Sequence, residues 1–416
     1  MNALRQNKSP IPAGPRPDAP LLHHLPAPKL ADIVALRLTY RWCDGPARLP
    51  PSGRALARSP QQTHTGHAPK NVSTRSGPAA SLNSWFREQL LHGLRNQACL
   101  HLQTPRPACV HCDFSVRKRC PLPAVYPPLG SGEGQPRQEL ASLHSIDVLA
   151  QGPELRLVAG DLVLVDLVLI GPALRGAGPL LSALRELEGG RLRLVGIDNL
   201  VLSLDRFEAP VDRWPLPVKR HPVRFADIPL LPVGDDATEA HLVDWLTTTG
   251  CLELELLTPM RLTRGSRDLN HFDLLVFTAR LLGRLASLHE TSAWLQHGDA
   301  PSIRLDDEAV RAEIEALAAA FTVDARTHVH QASRRGHGGH YHPAGGLRGV
   351  VRLTSAEPWA LRRLSRALVV GAWIGVGRCA TMGLGRLRAR PAIALPPLTT
   401  PVPGSRGTAV PRLVSD

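Results

Sequence analysis

Aromatic side chains are scarce in this 416-residue chain: Phe, Trp and Tyr together make up 4%. Its core must therefore be aliphatic, built from the abundant Leu, Val and Ala. No run of 18 or more apolar residues occurs, so no membrane-spanning helix is expected. The first 28 residues lack the apolar stretch of a secretory signal and carry prolines instead. That pattern predicts a cytoplasmic protein. The cysteines number seven; an odd set without a secretory signal argues for thiols or metal ligands rather than a disulfide framework. Acidic residues are missing above all from the first third. Residues 1–120 hold 17 Lys and Arg against 5 Asp and Glu, and so carry most of the formal net charge of +13. A polyanionic partner follows, with nucleic acid ahead of an anionic membrane. A solvated basic tail accounts for some of the surplus but not for its concentration.

What is present reads as α+β. Residues 1–30 form a Pro-rich arm expected to be disordered. The alternation over 31–42 predicts a strand, and 44–80 is a long basic loop rich in Pro, Gly, Ser and Arg. Ser84 is a candidate N-cap for a helix over 85–96, with Phe86, Leu90, Leu91 and Leu94 on one face. A Cys-rich insert spans 99–120. Strands are expected near 144–149 and 155–170, then a helix over 179–188 and a strand over 191–204. The run from Leu162 to Ile170 is nearly continuous in apolar residues, as in a buried sheet strand. A Pro-rich linker is placed at 205–244. Beyond it come a strand over 251–262, an amphipathic helix over 272–289, a second over 308–319, and paired strands over 321–331 and 346–353. A helix over 358–374 and a strand over 386–390 complete a second unit, 245–392, and a loose tail follows from 393. The order strand, helix, two strands, helix, strand occurs twice, the second time with one extra helix, which suits two tandem ferredoxin-like βαββαβ domains, the first over 31–204.

Three clusters carry candidate chemistry. The first is Gly375-Val376-Gly377-Arg378-Cys379-Ala380-Thr381-Met382-Gly383-Leu384-Gly385, where two Gly-apolar-Gly triplets bracket a cation. Such a loop either turns tightly from helix to strand or holds a phosphate chain, with Gly375, Gly377, Gly383 and Gly385 opening the backbone and Arg378 supplying charge. The second is Cys109 and Cys112 at metal-ligand spacing, with Cys99 before and Cys120 after. These four thiolates close a structural Zn²⁺ site in one reading and are reduced thiols in the other. The third is a run of histidines, His328, His330, His337, His340 and His342, interleaved with Arg334, Arg335 and Tyr341. It reads as an RNA-facing acid–base cluster, as a polar hairpin tip, or as a metal-binding tip, in that order.

The doubled glycine triplet resembles the glycine-rich loop of the RAMP superfamily of CRISPR RNA-binding proteins, and among them the CRISPR precursor-RNA processing endoribonucleases. Two further landmarks are similar to that family and stand in the same order. One is the strand ending in Thr258-Pro259. The other is Gly345-Gly346-Leu347-Arg348-Gly349 at a strand start. The resemblance implies tandem RAMP domains that bind CRISPR repeat RNA and cut it by attack of a 2′-OH on the adjacent phosphate, without a catalytic metal, leaving a 2′,3′-cyclic phosphate. Arg378, Arg348, Arg334 and Arg335 would hold the RNA. The base is sought among His330, His337, His64 and His67, with Tyr341 as a further proton donor. The guide RNA, and with it other CRISPR effector subunits, are the implied partners. A non-catalytic RAMP subunit that only binds guide RNA would carry the same loop. A zinc-dependent nucleic-acid-binding regulator is the remaining alternative, and it leaves the glycine loop without a task.

Overall fold

The computed structural model describes residues 28–44, 47–48, 86–87, 89–90, 93, 120, 124, 142–149, 156–187, 190–202, 218–222, 231–297, 308–330, 333–335, 341–343, 345–378, 380–382 and 384–392. His64, His67, His337, Cys99, Cys109, Cys112 and Gly383 lie outside these residues, as do nearly all of the basic loop and the Cys-rich insert.

The fold is α+β with antiparallel sheets. The first sheet is built from β1 (Ile33–Trp42), β3 (His144–Val148), β5 (Leu162–Ile170), β6 (Glu186–Leu187), β7 (Leu192–Leu202) and β8 (Val218–Pro222). Its order is β3-β5-β1-β7-β6, with β8 added beside β7. A two-residue ribbon, β2 (Ala47–Arg48) with β4 (Arg156–Leu157), hangs from it. The second sheet has four strands in the order β12-β15-β9-β16. These are β9 (Cys251–Met260), β12 (Thr322–His330), β15 (Gly346–Thr354) and β16 (Leu387–Pro391). Small ribbons pair β10 (Thr263–Arg264) with β11 (Arg267–Asp268), and β13 (Ser333–Arg335) with β14 (Tyr341–Pro343). In each unit the four principal strands therefore stand second, third, first, fourth, each antiparallel to its neighbours.

Period-two alternation explains the second sheet. Leu252, Leu254 and Leu256 of β9 turn into the core with Leu347, Val351 and Leu353 of β15 and Leu387 and Ala389 of β16. Glu253, Glu255, Arg352, Arg388 and Arg390 alternate with them, so they share the opposite face. Helices cover the apolar side: α3 (Leu274–His297), α4 (Glu308–Ala319) and α5 (Pro358–Ile374). α3 runs eight residues beyond the expected end at 289, through Thr291 and Leu295, which are buried. Below the first sheet, the helical positions Phe86 and Leu90 are buried, and the Phe86 ring lies 5.4 Å from that of Tyr40. The short α1 (Ala177–Ala183) follows a 3₁₀ segment and ends before the expected limit of 188.

Three sequence expectations need correction. Leu30, placed in the disordered arm, is fully buried in a 3₁₀ turn. The strand over 155–170 is interrupted by a turn in which Asp161 accepts from the Val158 N–H at 2.8 Å, so only 162–170 joins the sheet. The Pro-rich segment 205–244 is not all linker. It contains β8 and the start of α2 (Asp236–Thr247), which Asp235 caps by accepting from the Thr238 N–H at 2.7 Å. α2 packs on α5 and β16, through Leu242 and Leu246. Among the described residues no helix is long and apolar enough to cross a membrane.

Glu253 shows how the polar face of the second sheet is held. It is 4% exposed and lies between Arg352 and Arg390: Arg352 Nε donates at 2.9 Å and Arg390 Nε at 2.8 Å. Burial alone raises a carboxyl pKa, but the two guanidiniums outweigh it and hold Glu253 below its usual value. A depressed carboxylate contributes stability that is present above the unfolded pKa and lost as pH falls through the folded one. Glu253→Gln should therefore be less stable than the parent at pH 7, by about 3 kcal/mol for a broken buried pair. The gap should close as the pH falls below about 4.5. Urea unfolding of both proteins across that range measures it, and a gap that stays constant with pH would remove the ionic explanation.

Candidate nucleic-acid interface

The glycine-rich loop leaves the end of α5 and docks against the far end of β9. Gly375 ends the helix at φ 72°, and its N–H donates to Gly371 O at 2.9 Å. The Val376 N–H donates to Gly385 O at 2.9 Å, that of Gly385 to Pro259 O at 3.0 Å, and that of Arg378 to Arg261 O at 3.1 Å. Four N–H groups of the loop are thus satisfied by the protein's own carbonyls, and the phosphate cradle expected from the glycines has to be revised at those positions. The glycines serve close approach instead. Gly377 and Gly385 have φ of 92° and 68°. A Cβ at 377 would lie 2.6 Å from Arg261 O, and one at 385 would overlap Val376 O.

β9 receives the loop through an irregularity. Its register against β15 shifts between Leu347, opposite Met260, and Gly349, opposite Leu256. The extra residues include Thr258 and Pro259. Thr258 Oγ1 accepts from the Arg386 N–H at 2.8 Å, and Arg386 O accepts from the Leu257 N–H at 2.9 Å. Gly346 sits over the same turn, where a Cβ would come 2.5 Å from Met260 O. The three landmarks that carried the family resemblance thus meet at one end of the second sheet.

The loop is also held from the first sheet. Ser145 of β3 donates through Oγ to Ala380 O at 3.2 Å. Arg386 Nη1 lies 3.6 Å from Asp147 Oδ2, with the two side chains 13% and 12% exposed. Asp147 stands opposite Asp166 of β5, and Asp166 is bound by Arg37 of β1 at 2.8 and 3.0 Å. The hydrogen bond to Asp166 raises the Arg37 pKa against the effect of burial, with the charges of Asp198 and Asp147 adding to it. These four residues were missed in the sequence. The available signal was an Asp inside the apolar run of β5 and an Arg inside β1, each at a sheet-facing position.

Arg378 remains exposed, and its guanidinium has no partner among the described residues. His328 and His330 lie on one face of β12, opposite Arg348 and Gly346 of β15. His330 is half-buried; burial, then the charges of Arg348 and His328, push its pKa below the ordinary value, so it is neutral at pH 7. Arg348 Nη2 donates to Leu257 O at 2.9 Å, which lays the guanidinium along β9. His330 and the turn that anchors Arg378 are at the same end of the sheet, two strand spacings or about 10 Å apart. For Arg334, Arg335 and Tyr341 the structure gives the backbone of the β13–β14 ribbon, in which Arg335 pairs with Tyr341.

Another histidine, His144, is fully buried; burial and the nearby Arg87 and Arg284 hold its pKa well below the usual value. Of the four candidate zinc ligands only Cys120 is described, half-buried against the core. Among the described residues no group of three or more His, Cys, Asp or Glu side chains is placed to hold a metal ion.

Residues 254–387 match the family described as CRISPR-associated endoribonuclease Cas6. No curated protein matches the chain. Among solved structures it is similar to Thermus thermophilus Cas6, with 15% identity, 86% of this chain and 98% of that one covered, and a TM-score of 0.38. A Cas6 product complex gives 15% identity over 86% and 99% of the two chains, with a TM-score of 0.42. A partial Cas6-RT-Cas1–Cas2 complex gives 11% identity over 88% and 47%, with a TM-score of 0.42. The family match bears out the resemblance first carried by the glycine-rich loop: residues 254–387 are similar to the CRISPR-associated endoribonuclease Cas6 family.

Proposed function

We propose that the chain is an endoribonuclease that binds CRISPR repeat RNA and cuts the precursor into guide RNAs. The observation that carries this reading is the family match over residues 254–387, which contains the glycine loop, Thr258-Pro259 and Gly346. The strand order of both sheets supports two tandem ferredoxin-like domains, the first within 31–204 and the second within 245–392 with α2 joined to its front. The RNA lies across the end of the second sheet that carries both His330 and the turn anchoring Arg378. Arg378, with no partner among the described residues, takes a backbone phosphate. His330, neutral at pH 7, accepts the 2′-OH proton, and the 2′-oxygen attacks the adjacent phosphorus to give a 2′,3′-cyclic phosphate and a free 5′-oxygen. That oxygen needs a proton, for which Tyr341 and His337 are the candidates. Arg348 and the arginines of the β13–β14 ribbon offset the charge that builds on the phosphate. No metal takes part in these steps. The guide RNA then stays bound for transfer to effector subunits.

Three outcomes follow. A labelled repeat RNA should give a discrete product in EDTA, and a 2′-deoxy nucleotide at the cut should abolish it; tight binding without product would favour a subunit that only carries guide RNA. Arg378→Ala should weaken RNA binding roughly tenfold, the scale of one charged hydrogen bond of ~1.5 kcal/mol, and lower the salt slope by about one phosphate contact. Unchanged affinity and slope would take the loop out of the RNA site. The cleavage rate should rise with pH along an acid limb that lies at lower pH than that of an ordinary histidine, because the His330 pKa is lowered. His330→Ala should remove that acid limb along with the activity, and an unaltered profile would assign the base elsewhere.

A further inference from the structure

The outer strand of the second sheet, β12, pairs with β15 on one side, and among the described residues no strand lies on the other. Thr322 to Arg326, His328 and Val329 are all exposed, Val323 by 39% and Val329 by 47%. A nine-residue edge of this kind presents a row of unpaired N–H and C=O groups to any strand that reaches it. Devices that blunt an edge, such as proline, lysine or a bulge, are absent from β12, whose register against β15 is unbroken from Thr322 to His330. Its charges are instead of opposite sign and two residues apart. Asp324 and Arg326 share the face that carries His328 and His330, 3.7 Å from each other.

We propose that β12 is a self-complementary edge at which a second copy of this chain pairs antiparallel, joining two four-stranded sheets into one of eight. The charges select the register. A two-fold axis through Ala325 sets Asp324 of each copy opposite Arg326 of the other, so that two ion pairs form across the junction. An axis through Asp324 opposes two carboxylates, and one through Arg326 opposes two guanidiniums. About Ala325, Thr322 stands opposite His328, and Val323 opposite Thr327, which covers the apolar atoms that Val323 exposes in the single chain. The junction uses seven residues, 322–328, and is small for a permanent interface, so monomer and dimer exchange with concentration. The inference is independent of RNA cleavage and stands or falls on assembly alone.

The mass of the full chain without RNA, measured by sedimentation at about 1 µM and about 100 µM, tests it. The expected result is a shift from the monomer to twice its mass. Asp324→Arg and Arg326→Asp should each stay monomeric at the higher concentration while keeping the parent's melting temperature. The double reversal Asp324→Arg/Arg326→Asp should restore the dimer, because both cross-copy pairs re-form with signs exchanged. A parent that is monomeric throughout, single reversals that still dimerise, or a double reversal that does not recover the dimer each overturns the proposal. A parent that stays monomeric and whose reversals alter RNA affinity would give the edge to the RNA instead.

Discussion

Two aspartates facing one another across neighbouring strands set the terms for much of this structure. Asp147 of β3 and Asp166 of β5 are directly opposed in the register, and both are buried. Like charges that close, and that far from water, repel unless cations stand beside them. Arg37 supplies one from within the sheet, gripping Asp166 with two hydrogen bonds. Arg386, which belongs to the other unit and follows the glycine loop, brings a second cation within 3.6 Å of Asp147. The docked loop of the second unit therefore adds to the charge balance of the first sheet. Ser145, two residues before Asp147, adds a neutral hydrogen bond to the same loop. The loop is fixed from two sides, by β9 and by β3, and its one long exposed cation, Arg378, projects from a rigid base.

That arrangement changes what the glycines are for. A glycine-rich turn after a helix invites the idea of N–H groups pointing at phosphate. Here Gly375, Val376, Arg378 and Gly385 spend those groups on carbonyls of the helix, of the loop itself and of β9. The absence of Cβ atoms lets three backbones pass within contact distance, which no larger residue permits at 377 or 385. In the proposed RNA site, loop geometry thus acts at one remove. It holds Arg378 at a set place relative to the end of β9, and so relative to Gly346 and His330 on the next two strands.

Elements were legible in the sequence wherever one face was apolar and the period was clear. α4 and α5 match their expected bounds of 308–319 and 358–374, and β12 and β15 fall within a residue of theirs. Long helices and half-buried strands announce themselves by local pattern alone. Errors arose where the decisive contact was distant. α2 was hidden among prolines because its apolar face is matched by α5 and β16, more than a hundred residues away. α3 was cut short at 289 because Thr291, buried and bonded to Ser287 O at 2.8 Å, reads locally as a polar stop. For the candidate site, the glycine loop, Thr258-Pro259 and Gly346 were each visible, but their convergence was not. Nor was the row from Arg37 to Arg386, since pairing across sheets leaves no periodic trace.

The same reasoning separates charges by availability. On the polar face of the second sheet Arg352 and Arg390 hold Glu253, Arg388 holds Glu255 at 3.0 Å, and Arg348 is turned onto a carbonyl. A count of arginines would make this face a strong phosphate surface, yet most of their charge is already matched. Affinity for a polyanion then depends on the few cations left over rather than on the net charge of the strand set. Arg378 is one of these, and its neighbourhood also holds a histidine kept neutral by partial burial and by the charge of Arg348. In the proposed mechanism, a phosphate drawn to Arg378 would bring its negative charge toward His330 and favour the protonated imidazole that abstraction of the 2′-proton creates. Binding and proton transfer would then support one another at the end of a single sheet, with the glycine loop, by fixing Arg378, setting the distance between them.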